Sequence, residues 1–550
     1  MKKKVFIGLM LGLGVLSLAS CKNSQEETKI ETDDGISFVE KTYDFKNYSS
    51  EFDYKTGKID TYFKGKDKYL PYVDLEQFIK ASSGIYDLNR VEFNDDKDNQ
   101  RFILKVDGVD NIFDYKNQKI EYEALNFLVE LQETDYSYCL KTEDFYDEDK
   151  DYKCTLDLAK YDIELFHASD KLLIDFNLLN LLLSSENLYL TTFNGNGYYG
   201  DFYFFSDELQ NDAYTSNLKG TSIPDEVKKL DAKYLTLLME NYYGLYDYKH
   251  LENDEDTNNL INVFSNAKTH NYSQTVFDYF NSLDDGHTGM ISYPFYSGGI
   301  ISFAEYGETV ETLFEVDELL ATQKAQKQME SQQYEIVGNT MYISFDSFDT
   351  DSDFDLENID LNGEYTDSFI YIYTCLEKAK QANNIENVVF DISTNGGGNI
   401  GALFRIFGLL TNDDIIINEE VANFGLDIET RVKVDTDFDG DYEDDDAYTM
   451  FNYYILTSEA SFSCANFFPT VAKAQNLATI IGQKSSGGMC SVMTYVLPSG
   501  IQFQTSSSSR QYTTLNGNKY YLEGGAPVDI EIPYEKFYDF EYINTLINKK

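Results

Sequence analysis

The sequence predicts an α/β protein, α+β overall, in which a C-terminal core follows a helical segment and a mixed α+β N-terminal region. Three observations carry this. Val388-Val389-Phe390-Asp391-Ile392 and Tyr453-Tyr454-Ile455-Leu456-Thr457 are short β-branched and aromatic runs, the pattern of buried strands. Small residues follow each run. Apolar residues at helical spacing come next, as in Cys464…Phe467-Phe468…Val471-Ala472. Before residue 218 the chain is instead rich in Tyr, Phe and alternating patterns.

The elements follow in chain order. Met1-Lys2-Lys3-Lys4 is a positive start, and the apolar run Val5 to Leu18 is too short to span a bilayer. Leu18-Ala19-Ser20-Cys21 then resembles a bacterial lipobox. Residues 1–20 therefore read as a lipoprotein signal peptide and Cys21 as the lipidated residue, against the alternative of an uncleaved anchor or unlipidated secretion. The expected location is the cell surface or periplasmic face, anchored to the membrane by lipid. Residues 21–36 read as a polar tether.

Residues 37–218 read as an accessory α+β domain. Phe102 to Val109 and Asn187 to Phe193 are expected strands, and Tyr72…Ile79 and Leu172…Leu183 short helices. A substrate- or wall-recognition module is the sharper reading of the same region. Residues 222–290 carry helical apolar spacing (Leu230, Tyr234, Leu237, Leu238, Tyr242) and end in Asp285-Gly286-His287-Thr288. Gln323 to Gln333 reads as a polar helix or linker and Tyr334 to Phe345 as a hairpin entering a core at 334–538, with 539–550 a tail.

Composition bounds the partners. The 550 residues carry a formal net charge of -51, which argues against nucleic-acid binding. Cys139 and Cys154 could form a local disulfide, and no Cys or His spacing suggests zinc.

The chemistry concentrates in four segments. A serine hydroxyl needs a neighbouring base, and the chain has only 4 His: His167, His250, His270 and His287. His167 reads as structural, His250 as a helix end and His270 as a loop residue, whereas His287 lies at a Gly-containing turn after a helix. Ala460-Ser461-Phe462-Ser463-Cys464-Ala465-Asn466 puts Ser463 at a strand-to-helix turn, where free helix amides can hold an oxyanion. Ser463 as a simple N-cap is the competing reading. Asp391-Ile392-Ser393-Thr394-Asn395-Gly396-Gly397-Gly398 offers glycine backbone for an oxyanion hole or anion nest. Glu523-Gly524-Gly525-Ala526-Pro527-Val528-Asp529 closes the set.

Together these segments, with Ile480 to Gly488, resemble the carboxyl-terminal processing and tricorn-like serine peptidases. The resemblance covers about 220–550 and implies a Clp-protease/crotonase-like catalytic core. It implies a Ser463–His287–Glu523 triad, with an oxyanion hole from backbone amides of Gly396, Gly397 or Gly398 and of Cys464. The family's alternative Ser-Lys dyad would put its Lys where Gly488 stands, and Lys484 is four residues early. Asn466 replaces the family's common acidic residue, and Gly286 stands where some relatives place a supporting Ser. Residues 290–333 are too few for an inserted PDZ domain. The implied function is a membrane-anchored extracytoplasmic serine endopeptidase acting on exported or unfolded polypeptides, with no cofactor required for catalysis. A catalytically inactive peptide-binding or surface-interaction lipoprotein is the alternative.

One motif stands apart. Asp435, Asp437, Asp439, Asp441 and Asp446 fall in a loop with acidic side chains at positions 1, 3, 5 and 12 and Gly440 at 6, the arrangement of a calcium loop with Asp in place of the usual Glu. Its flanks read as strands, so a structural Ca²⁺ site stands against a solvated acidic hairpin.

Overall fold

The structure is a computed structural model. It describes residues 28–52, 56–122, 139–147, 149–150, 152–184, 188–214, 218–253, 259–351, 359–442 and 446–548. The expected signal peptide and Cys21 lie outside them. Among the described residues no helix is long and apolar enough to cross a membrane.

A six-stranded sheet forms the centre: β1 (Gln333–Val337), β2 (Thr340–Ser344), β3 (Asn387–Asp391), β4 (Asn452–Thr457), β5 (Thr479–Gly482) and β6 (Ile530–Glu531). Its spatial order is the chain order. β1 and β2 form an antiparallel hairpin, and β2 through β6 run parallel. Four helices matter to the site: α1 (Glu308–Lys327), α2 (Ser368–Ala382), α3 (Ile400–Gly408) and α4 (Cys464–Ala474).

Strand alternation assigns the helices to faces. Val388, Phe390, Ile455 and Ile480 point into the main core with Leu376, Ile406, Phe468 and Val471 of α2 to α4. Their neighbours Val389, Leu456 and Ile481 point the other way, onto Val316 and Leu320 of α1 and onto Ile543 and Ile547. With both faces covered, these strands can be apolar throughout, which explains why they read as continuous hydrophobic runs. The expected tail at 539–550 is thus a cover for the second face: Phe540–Ile547 is a helix, capped by the Asp539 side chain.

A second, seven-stranded sheet runs Gly289–Met290, Gln502–Leu515, Ile415–Val421, Leu426–Val434 and Leu140–Phe145, with Cys490–Val496 and Asn518–Tyr521 also paired to Gln502–Leu515. Leu140–Phe145 comes from the region expected as a separate accessory domain, and pairs in antiparallel register with Leu426–Val434. The main core is likewise continuous from Phe45 to Leu522.

Two further sheets, of eight and five strands, hold the described strands of residues 29–202 other than Leu140–Phe145. Four local expectations change here. Tyr72…Ile79, expected as a short helix, opens as the strand Tyr72–Asp74 and turns helical only from Leu75. Lys29–Glu31, expected as tether, pairs with Ser37–Val39. The stretch 172–183, expected as one helix, opens as the strand Lys171–Asp175 and turns helical only from Phe176. Phe102 to Val109 divides into a hairpin, Arg101–Val106 and Val109–Asp114, turning at Asp107-Gly108.

Candidate active site

The loops singled out in sequence leave the carboxyl ends of the parallel strands, where open α/β sheets place their ligands. Asp391 ends β3, Thr457 ends β4 and Gly482 ends β5, and the turns beyond them hold Gly396–Gly398, Ser463 and Gly487–Gly488.

Ser463 sits immediately before α4 with φ 56° and ψ -123°, a left-handed conformation that costs a non-glycine residue about 1–3 kcal/mol. Backbone bonds impose it: its N–H donates to the Gly487 carbonyl at 3.0 Å, and its carbonyl accepts from Asn466 and Phe467 at 2.9 and 2.8 Å. An N-cap serine would use its hydroxyl on these amides. Here the side chain makes no capping bond, and it is half-buried between the buried Phe462 and Cys464. The hydroxyl is therefore left free for other work. α4 continues unbroken through Pro469, which removes one helix donor in the second turn.

The glycine loop packs directly on this turn. A side chain at Gly397 (φ 112°) would begin 2.7 Å from Ser463 Cβ and 3.1 Å from the Cys464 amide nitrogen, so only glycine fits. Asn395 fixes the loop, donating to the Phe345 carbonyl at 3.1 Å and accepting the Gly397 N–H at 2.8 Å. Gly397 thus already spends its amide on Asn395. The Cys464 amide, beside Gly397 at the N-terminal end of α4, has no acceptor among the described residues. Burial pushes the Cys464 thiol up to about 12, and it donates to the Gly398 carbonyl, so its sulfur is not a competing nucleophile.

His287 arrives from the second sheet. The strand Gly289–Met290 begins two residues later and pairs with Phe503 and Gln504. Asp285 shapes the turn, accepting the His287 N–H at 3.0 Å, the Thr288 hydroxyl at 2.6 Å and the Tyr243 hydroxyl at 3.0 Å. The imidazole lies 4.7 Å, centroid to centroid, from the ring of Phe462, the residue before Ser463. Burial lowers the His287 pKa, with the Asp285 carboxylate opposing, so the ring stays neutral near pH 7 and can accept a proton. Its Nδ1 is buried with no hydrogen-bond partner among the described residues.

Glu523 lies in a short 3₁₀ turn after Asn518–Tyr521. Its Oε2 accepts the Gly488 and Met489 amides, both at 3.0 Å, and burial raises its pKa, with the Asp285 charge adding to the rise. No direct Glu523–His287 hydrogen bond is present among the described residues. Asp285 is the carboxylate whose charge acts on His287, a role the sequence reading did not single out although it lies two residues away.

Three other positions acquire physical reasons. A side chain at Gly286 would meet the Phe462 ring at 2.7 Å, so the Ser of some relatives has no room. Gly488 has φ 84° and is blocked by Phe462 and the Ser463 nitrogen, while Lys484 lies against Gly525; neither place offers a lysine to Ser463. Asn466, fully buried, donates to the Leu522 carbonyl at 2.9 Å and accepts from Ser485 at 2.7 Å, whose hydroxyl holds the Ala526 amide. It ties the nucleophile helix to the loop that carries Glu523.

The remaining histidines are elsewhere. His167 is clamped between Asp33 and Asp95 at 2.6 and 3.0 Å, His250 is exposed and His270 lies in a 3₁₀ turn. Cys139 and Cys154 are both free.

Residues 339–532, which include the Ser463, glycine and Glu523 loops, match the model of peptidase family S41. No curated protein sequence matches the chain. Three solved structures are similar in outline. A candidate peptidase from Parabacteroides merdae is 16% identical, with 58% of this chain and 96% of that one covered at a TM-score of 0.39. A lipoprotein from Streptococcus agalactiae is 14% identical (58% and 96%, TM-score 0.35). Mature CPAF complexed with lactacystin is 14% identical (59% and 99%, TM-score 0.40). The match spans residues 339–532 and marks a serine-type peptidase, a class that acts on polypeptides and needs no cofactor for catalysis.

Proposed function

We propose that this serine-type peptidase of family S41 is an extracytoplasmic endopeptidase, anchored through lipid on Cys21, that cleaves exported or unfolded polypeptides with Ser463 as nucleophile and His287 as base. The observation that carries the reading is the uncapped Ser463 hydroxyl, held in a strained turn between the Cys464 amide and the edge-to-face pair Phe462–His287.

The chemistry follows from these groups. Neutral His287 takes the Ser463 proton as the oxygen attacks the scissile carbonyl, and the oxyanion that forms is held by the Cys464 N–H with a glycine-loop amide. The imidazolium returns the proton to the leaving amine, and a water repeats the sequence to free the acyl group. Asp285 stabilises the imidazolium and holds the turn. Glu523, anchored on the amides of the Gly488 turn, adds its negative charge around the imidazolium at one remove. Such buried charge is worth most where water is excluded.

The test is hydrolysis of a mixed peptide library by the chain lacking its first 21 residues, read by mass spectrometry beside Ser463→Ala and His287→Ala. Cleavage by the wild type alone, with both variants down by at least about 10³-fold, supports the assignment. Cleavage that survives in Ser463→Ala assigns the wrong nucleophile. Equal silence of all three, with peptide binding retained, moves the non-catalytic peptide-binding reading ahead.

A further inference from the structure

The acidic loop 435–446 plays no part in the proposed hydrolysis, yet its arrangement points to a ligand. We propose that Asp435, Asp437 and Asp439 hold one structural Ca²⁺ that locks the turn between Leu426–Val434 and β4, the strand leading to Ser463.

The first observation is the donor set. Asp435, Asp437 and Asp439 each present a carboxylate oxygen within 4.8 Å of the other two. Three acidic side chains at so short a separation repel one another strongly unless a cation lies between them. The second is independent of that clustering. Asp435 is 94% buried, the complement of its 6% exposure, and its Oδ1 has no hydrogen-bond partner. An ionised oxygen shut away from both water and donors is costly, and a metal ion is the partner that such a group lacks. Its other oxygen is occupied, accepting the Gly440 N–H at 3.0 Å, which leaves Oδ1 as the free ligand atom.

Asp446 lies outside that cluster and closes the loop instead: it is 8% exposed, and its Oδ1 accepts the Thr436 N–H at 2.6 Å, folding the end of the loop back on its start. An all-oxygen, carboxylate-rich set on an irregular loop suits a hard cation that tolerates uneven geometry, which favours Ca²⁺ over Mg²⁺.

The fold explains what the ion would fasten. Asp435 N–H donates to the Cys139 carbonyl, next to the strand Leu140–Phe145 that reaches the core from the N-terminal region. Phe438, at φ 64°, packs on Phe369 and Tyr373 of α2. The Ala447 N–H, just past the loop, donates to the Asn412 side chain at 2.7 Å. The loop is thus a junction of three parts of the molecule. Asp at the twelfth position is shorter than the usual bidentate Glu, so the expected affinity is that of extracellular modules, with Kd about 10⁻⁴–10⁻³ M.

The experiment is isothermal titration of chelator-stripped full-length protein with CaCl₂, with thermal unfolding in 5 mM Ca²⁺, in 5 mM Mg²⁺ and in EDTA. Asp437 and Asp439 are exposed, so Asp437→Asn/Asp439→Asn keeps the fold and removes two ligands. The proposal expects one Ca²⁺ per chain and a Tm higher by about 2 °C or more in Ca²⁺ than in EDTA, both lost in the double variant. No binding, binding that survives in the double variant, or an equal stabilisation by Mg²⁺ overturns it. Peptide hydrolysis is not the readout, so the outcome is independent of the catalytic assignment.

Discussion

At the scale of single residues, the decisive group is a histidine kept neutral by burial. Because burial lowers the His287 pKa and Asp285 opposes the fall, the acid limb of kcat/KM should have its midpoint below the ordinary histidine value of about 6.5. Asp285→Asn removes the opposing charge, so the limb should move to still lower pH while kcat drops; a limb that stays put or moves up would show that another group titrates. The neighbouring glycine yields a second expectation. A methyl at Gly286 would lie 2.7 Å from the Phe462 ring, which itself packs edge-to-face on His287, so Gly286→Ala should push that ring against the base and cost about 10–100-fold in kcat/KM. If the clash is the cause, Gly286→Ala/Phe462→Leu recovers activity relative to the single variant. Loss without recovery would place the fault in the turn's backbone instead.

At the scale of elements, α1 is a strut between two loops of the site. Its first amides, from Thr309 and Val310, are capped by the Asp284 side chain three residues before His287, at 3.0 and 3.1 Å. Near its other end Lys324, almost fully buried, donates to Asp346 at 2.6 Å and to Thr394 at 2.5 Å, two residues before Gly396. Removing a cap costs about 1 kcal/mol, so Asp284→Ala should lower stability to urea by that order while lowering kcat/KM several-fold, because the freed helix end is also a wall of the His287 turn. A stability loss with kinetics unchanged would reduce α1 to packing. Such a strut is invisible to local reading, since its partners are 22 to 70 residues away and its own sequence, Glu308–Lys327, has a weak apolar stripe. The strand–helix order around β3, β4 and α4 was legible because both faces of the sheet are buried and the runs are apolar throughout. Phe540–Ile547 and Lys29–Glu31 were not, because their short sequences gain order only from the sheets they cover or extend. The same holds in the site: Ser463, His287 and Glu523 stand out by residue type and turn context, whereas Asn466 and Phe462 act through contacts across 286–523 that no spacing encodes.

At the scale of the whole molecule, the net charge of -51 and a small set of buried acids act on stability together. Like charges at this density repel in the compact state, and salt screens them, with a Debye length of about 10 Å at 0.1 M. Asp175 and Asp231 are different in kind. Burial pushes each up to about 7, and Asp231 is held there among Tyr272 and Ser499 donors at 2.6 and 2.8 Å. A carboxyl whose pKa is higher folded than unfolded stabilises the protonated form, a contribution present at low pH and lost as pH rises through about 7. Both effects therefore lower Tm as pH rises from about 4, the unfolded carboxyl value, to about 7, but only surface repulsion yields to salt. In 20 mM NaCl the fall in Tm should be steep, and in 0.5 M NaCl it should shrink without vanishing. The residue left at high salt belongs to Asp175 and Asp231, and Asp231→Asn, which cannot ionise, should reduce it further. A Tm independent of pH at high salt would mean that these two acids find counter-charges on unfolding no better than in the fold, and that repulsion across the surface alone sets the pH dependence.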